Sequence, residues 1–235
     1  MRNYFTFGDI DSRDFGVYIS GSGVFNAPAK QIEMIEVPGR NGDLIGLESR
    51  LLNLELTYPA FIYADFKRNI AGLSSALLAK EGYQKLVDTY YPDEYRLAAF
   101  AGGIDVDSVD SRIAGQFDLT FQCKPQRYLL EGQEEVDITT SLKLINPTAF
   151  PSSPLIRVYG YGTLGINSES VTIANQYSYV DIDCEMMDCY YQTNSANPYV
   201  SFSGNDFPKL KPGTNTFTKT ANISQIKIVP RWWHV

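Results

Sequence analysis

Over most of its length this chain changes face at every second residue, and one stretch departs from that rhythm. In LLNLELTYPAFIY (residues 51–63), Leu52, Leu54, Leu56 and Tyr58 fall on one side of an extended strand. GQFDLTFQCKPQRYL (residues 115–129) sets Phe117, Leu119, Phe121 and Cys123 against Asp118, Thr120 and Gln122. QIEMIEV (residues 31–37) alternates too, with Ile32, Met34 and Glu36 on one face and Glu33, Ile35 and Val37 on the other. A period of two belongs to strands, so such a chain must hide its apolar faces against other sheets or helices. The exception is DFKRNIAGLSSALLAKEGYQKL (residues 65–86). Here Phe66, Ile70, Leu73, Leu77 and Leu78 recur at spacings of three and four, the apolar stripe of an amphipathic helix. Asp65 is the expected N-cap, and Gly82 the expected stop after Lys80. The fold class predicted is therefore mainly β, with a β-barrel or sandwich-like N-terminal domain that carries one α-helix.

A change of texture follows. LINPTAFPSSPLIRVYG holds Pro147, Pro151 and Pro154 around a Ser-Ser pair, which is the chemistry of a linker or stiff crossover. Beyond it, short strand patterns such as LIRVYGYG, LGINSESVTI, YSYVDIDC and ISQIKIVPRWWHV recur at roughly ten-residue intervals, the rhythm of a β-sandwich or jelly roll. The expected domains are 1–143 and 144–235. A chain of 235 residues, 44% of them hydrophobic, can build two such cores.

Charge and composition exclude several functions. The net charge is -7 and no basic run reaches four residues, so the electrostatic footprint of a nucleic-acid binder is missing. The first residues lack the apolar core of a signal peptide, and no apolar run approaches the roughly 20 residues of a membrane helix. Synthesis in a cytoplasm, with retention there or exit by a route that needs no signal, and without membrane insertion, is the expectation. Three cysteines, an odd count, suggest thiols; Cys184 and Cys189 flank EMMD and could face each other across a hairpin, so a disulfide between them stays open.

Catalytic candidates are few. His234 is the single histidine, so neither a multi-histidine metal cluster nor a zincin motif can be built. A hydrolytic triad would have to form around that one residue. DVDSVDS (residues 105–111) begins like a calcium loop, but Val109 replaces a ligand and the glycine of the sharp turn is absent. EVPGRNGDL (residues 36–44) packs glycines and charge between apolar neighbours as phosphate loops do. It lacks the Lys-Ser/Thr pair and opens no helix, so neither the P-loop nor the Rossmann fingerprint applies. Asn41-Gly42 instead signals a type I′ hairpin turn. The second half is rich in aromatics, among them Tyr159, Tyr161, Tyr177, Tyr179, Tyr190, Tyr191, Tyr199, Phe202, Trp232 and Trp233. On a β-sandwich such rings serve as core, as sugar-stacking platforms or as protein contacts. No cofactor site is expected, and the reading is of a protein that is not an enzyme.

Residues 5–44, FTFGDIDSRDFGVYISGSGVFNAPAKQIEMIEVPGRNGDL, followed by LLNLELTYPAFIY, resemble the distal tail protein family of long-tailed bacteriophages (siphoviruses). The resemblance extends to about residue 140. It implies a virion structural protein at the distal tail tip, the hub of the baseplate, assembled in the host cytoplasm. Such hubs form hexameric rings that join the tail tube protein to the tail-associated lysin or spike and, in some relatives, to receptor-binding proteins. Members commonly serve phages of Gram-positive hosts. The resemblance also implies a C-terminal β-sandwich of galectin-like type. On this reading Arg40, Asn41 and Asp43 are expected at a subunit or tube contact. Tyr191 and Trp233 are the expected glycan or partner contacts, the carbohydrate-binding module being the alternative function.

Overall fold

The computed structural model describes residues 2–20, 26–104 and 115–235, so the acidic stretch 105–111 lies outside the described residues. The chain divides into two units, Met1–Arg127 (with Val235) and Tyr128–His234. The division precedes the proline-rich segment at which the sequence places the boundary. The reason is pairing: residues 136–137 and 143–146 hydrogen-bond with strands of the second unit.

In the first unit the strands are β1 (Phe5–Phe7), β2 (Ile10–Asp11), β3 (Val17–Ile19), β4 (Lys30–Ile35), β5 (Leu44–Leu51), β6 (Leu54–Ile62), β7 (Gln84–Asp88), β8 (Glu94–Ala99) and β9 (Gly115–Leu129). Seven of them run in the order β2-β1-β7-β8-β9-β6-β3. The long pairing of β6 with β9 sets Leu56 opposite Phe121 and Tyr58 opposite Leu119. The alternation read in both strands is borne out, since Leu54, Leu56, Tyr58, Phe117, Leu119, Phe121 and Cys123 are all buried. Each fully buried large apolar side chain contributes about 1.5–3 kcal/mol. Rings of Phe5, Tyr58 and Phe121 pack at centroid distances of 5.5–6.1 Å. The Tyr58 hydroxyl donates to Asp88 Oδ2 at 2.6 Å, which gives the buried phenol its partner.

Helix α1 (Phe66–Leu78) lies where the period of three and four places it, and Phe66, Leu73 and Leu77 are buried. Its ends differ from expectation. Asp65 holds the N-cap position with φ 49° and makes no side-chain cap bond; its carbonyl accepts from the amides of Arg68 and Asn69. The helix stops at Leu78, before Gly82, and Leu78 faces solvent.

The second unit contains β10 (Val136–Asp137), β11 (Lys143–Asn146), β12 (Leu155–Gly160), β13 (Gly162–Ile166), β14 (Glu169–Ile173), β15 (Tyr179–Asp183), β16 (Asp188–Tyr191), β17 (Asn194–Ser195), β18 (Val200–Phe202), β19 (Gly213–Lys219), β20 (Ile223–Val229) and β21 (Trp233–His234). All but β21 form a six-stranded sheet, β10-β20-β12-β15-β16-β17, and a five-stranded sheet, β11-β19-β13-β14-β18. Ile156, Val158, Val180, Ile182, Ile226 and Ile228 of the first sheet share one core with Leu164, Ile166, Val171, Ile173 and Phe217 of the second. This is a β-sandwich, as the strand rhythm predicts.

The stretch LIRVYGYG, which reads as one strand, is split between the two sheets. Gly160 (φ 97°) and Gly162 (φ 121°) turn the chain from β12 into β13, and the register of β12 with β20 shifts at Tyr159/Gly160. A Cβ on Gly160 would lie 2.1 Å from the carbonyl oxygen of Asn222.

The outward face of the six-stranded sheet carries two bidentate ion pairs. Arg157 binds Asp181 through Nε and Nη2 at 2.6 and 2.8 Å. Arg231 binds Asp183 at 2.7 and 2.9 Å, and Asp183 Oδ1 also accepts from the amides of Glu185 and Met186. Burial pushes the Asp183 carboxyl up. The Arg231 hydrogen bonds and charge, with the two amides, outweigh it and hold Asp183 below the ordinary carboxylate range. Because the folded group is the stronger acid, its stabilisation is complete above its unfolded pKa of roughly 4 and is lost as pH falls through the lower folded value. Asp183→Asn is expected to cost about 2 kcal/mol at neutral pH. In urea titrations between pH 5 and pH 2 the variant should lose less further stability than the wild type.

Cys123, Cys184 and Cys189 are free and buried, so the hairpin disulfide does not form. Burial pushes the Cys189 thiol up to about 12 and the Cys123 thiol likewise to about 12. Thiolate is the reactive form. A thiol reagent that titrates all three cysteines after denaturation should find almost none in the folded protein within minutes.

Candidate functional site

Strands β4 and β5 form a two-stranded sheet of their own, separate from the seven-stranded path. Lys30 pairs with Leu51, Met34 with Ile45 and Ile35 with Leu44, and an irregularity falls between Ile32 and Met34. The period of two in β4 predicts one buried face, yet all six of its residues are exposed. Alternation specifies which residues share a face; it does not supply the surface that covers it. Ile32, Met34, Ile35, Leu44 and Ile45 are all exposed, Met34 by 62% and Ile45 by 65%. Isolated two-stranded hairpins are marginal in water, and contiguous exposed apolar residues mark interaction surfaces.

The expected contact residues Arg40, Asn41 and Asp43 sit together at the tip of this arm and are exposed. The tip is a hairpin end, but not through Asn41-Gly42. The Arg40 amide donates to the Val37 carbonyl at 3.1 Å, and Gly39 has φ 82° after Pro38, which is the type II pattern. Gly42 has φ 81° whereas Asn41 is not left-handed, so the type I′ pair is absent. No Cβ at Gly39 or Gly42 would meet an atom within 4 Å.

The whole chain shares its fold with a phage hub protein. In the crystal structure of SPP1 Dit (gp 19.1), described as a paradigm of the hub adsorption apparatus in phages infecting Gram-positive bacteria, the chain matches with a TM-score of 0.79 and 15% identity. The match covers 100% of both chains. At that identity the likeness speaks for the fold. No family model matches the sequence, and no curated protein does.

The two aromatic candidates belong to different clusters in the second unit. Tyr191 stacks on Tyr177 at 4.8 Å and touches Tyr179 at 4.8 Å. Tyr179 in turn packs on Tyr159, under the Arg157 guanidinium. Trp233 stacks on Phe150 at 4.5 Å, and its Nε1 donates to the Pro151 carbonyl. Trp232 is buried and Trp233 half-buried. Both candidate rings thus give a face to a neighbouring ring. His234 lies on the short β21. Among the described residues, no group of three or more His, Cys, Asp or Glu is placed to hold a metal ion. Among the same residues, no helix is long and apolar enough to cross a membrane.

The sequence reading missed the apolar flanks of the arm as a site. Their signal was present: Ile32, Met34 and Ile35 precede a Pro-Gly turn and Leu44 and Ile45 follow it, so both arm strands carry uncovered apolar residues beside the tip.

Proposed function

We propose that this chain is the structural hub of a phage tail tip. On this reading it forms a hexameric ring at the distal end of the virion tail. The ring joins the tail tube protein to the tail-associated lysin or spike, and the galectin-like C-terminal sandwich faces receptor-binding proteins. The protein works as a scaffold, without catalysis, cofactor or nucleic acid. The observation that carries the proposal is the end-to-end likeness to a phage hub protein, at a TM-score of 0.79 over 100% of both chains. The exposed arm supports it. A ring needs two different complementary patches on each subunit, and a projecting apolar hairpin suits one of them.

Arg40 is then a contact residue, its planar donor fork bridging to an acceptor on a neighbour. Arg40→Ala is expected to weaken ring or tube assembly about tenfold or more, in line with a lost charge-assisted contact. The folded subunit should keep its unfolding midpoint. Co-sedimentation with the tail tube protein checks this, and unchanged assembly would reduce the tip to a turn. The carbohydrate-binding alternative is tested on the same protein by titration with host wall polysaccharide. Binding lost in Tyr191→Ala or Trp233→Ala would favour it over the hub.

A further inference from the structure

A small recess in the first unit is lined by Tyr58, Asp88, Tyr91, Glu94, Arg96 and Arg127 among others. Two of these are buried arginines, Arg96 at 5% exposure and Arg127 at 9%. Arg96 Nη1 and Arg127 Nε are both fully shielded from solvent and have no hydrogen-bond partner in the protein. Leaving a charged donor buried and unmade costs well over the 1–3 kcal/mol of a neutral one. Around these atoms the protein offers little relief. Arg96 Nη2 reaches the Asn26 carbonyl only at 3.4 Å, and the Arg127 guanidinium stacks over Tyr91 and stands 3.6 Å from Glu94.

We infer that the recess holds one resident water molecule, which accepts hydrogen bonds from Arg96 Nη1 and Arg127 Nε and so ties β8 to β9. Two observations select this occupant. The recess leaves about 20 Å³ for a water-sized occupant, above the roughly 10–15 Å³ that one water needs. The two arginine nitrogens are donors, so the occupant must accept from them; it also stands beside Glu94 Oε2, a buried acceptor of the same lining to which a water can donate.

The test is a crystal structure of the wild-type chain grown with bromide as the halide, at a resolution that shows ordered waters. A single peak within hydrogen-bond reach of both nitrogens, with no anomalous signal, is the expected result. An anomalous bromide peak would reassign the recess to an anion, and an empty recess would overturn the inference outright. In solution, water-proton relaxation dispersion should count one more slowly exchanging water in the wild type than in Arg96→Met. Equal counts in two folded proteins would also overturn it. If that variant does not fold, the crystallographic test stands alone.

Discussion

Gly160→Ala should destabilise the second unit by about 4 kcal/mol, while Gly213→Ala, a change of the same kind in the same sandwich, should cost about 1–2 kcal/mol. Both glycines are left-handed, at φ 97° and 78°, so both variants carry backbone strain of that order. They differ in space. Around Gly213 no atom lies within 4 Å of an added Cβ, whereas at Gly160 that atom would meet the Asn222 carbonyl oxygen at 2.1 Å. That oxygen is backbone and cannot swing aside. Relief would have to move β12 away from β20, where Gly160 pairs with Ile223 beside the register shift. Urea unfolding of the two variants gives the comparison; equal losses would show that the corner between the sheets yields more easily than its geometry implies.

The second large effect concerns the arm. Met34 and Ile45 are cross-strand partners, exposed by 62% and 65%, so they add little to the stability of the isolated subunit. In an assembly that covers them, two central apolar contacts are each worth about 2 kcal/mol or more. A paired charge substitution, Met34→Glu with Ile45→Glu, should therefore weaken self-association by a factor of about a hundred to a thousand. The unfolding midpoint should stay within about 0.5 kcal/mol of wild type, as for ordinary surface changes. Sedimentation velocity reads the first and denaturant unfolding the second. Loss of folding together with loss of assembly would mean that the arm packs within its own subunit.

The contrast between β6 and β4 explains how much of this was legible beforehand. Both strands alternate cleanly, and in β6 the pattern leads directly to buried Leu54, Leu56 and Tyr58. In β4 the same pattern leads to a strand that, among the described residues, is exposed on both faces. A local period can state that a face exists but not what lies against it. Helix α1 was legible for the same reason as β6, while its ends were not: Asp65 has a capping side chain but a left-handed backbone, and no cap bond forms. The turn at the arm tip went to Pro38-Gly39 instead of Asn41-Gly42, since two turn signals stood within one short loop and local rules do not rank them. The pairing of Arg231 with Asp183 across 48 residues of sequence and the convergence of Arg96 with Arg127 depend on strand order, which no local pattern encodes.

On the proposed reading, subunits of this fold close into a ring through the arm. Mass measurement of the wild-type chain, alone and with the tail tube protein, tests it most directly. The expected result is a discrete species of six 26.3 kDa chains, alone or on the tube end, that collapses to subunits in the Met34→Glu, Ile45→Glu variant. A chain that stays strictly monomeric at high concentration with the tube protein present would contradict it.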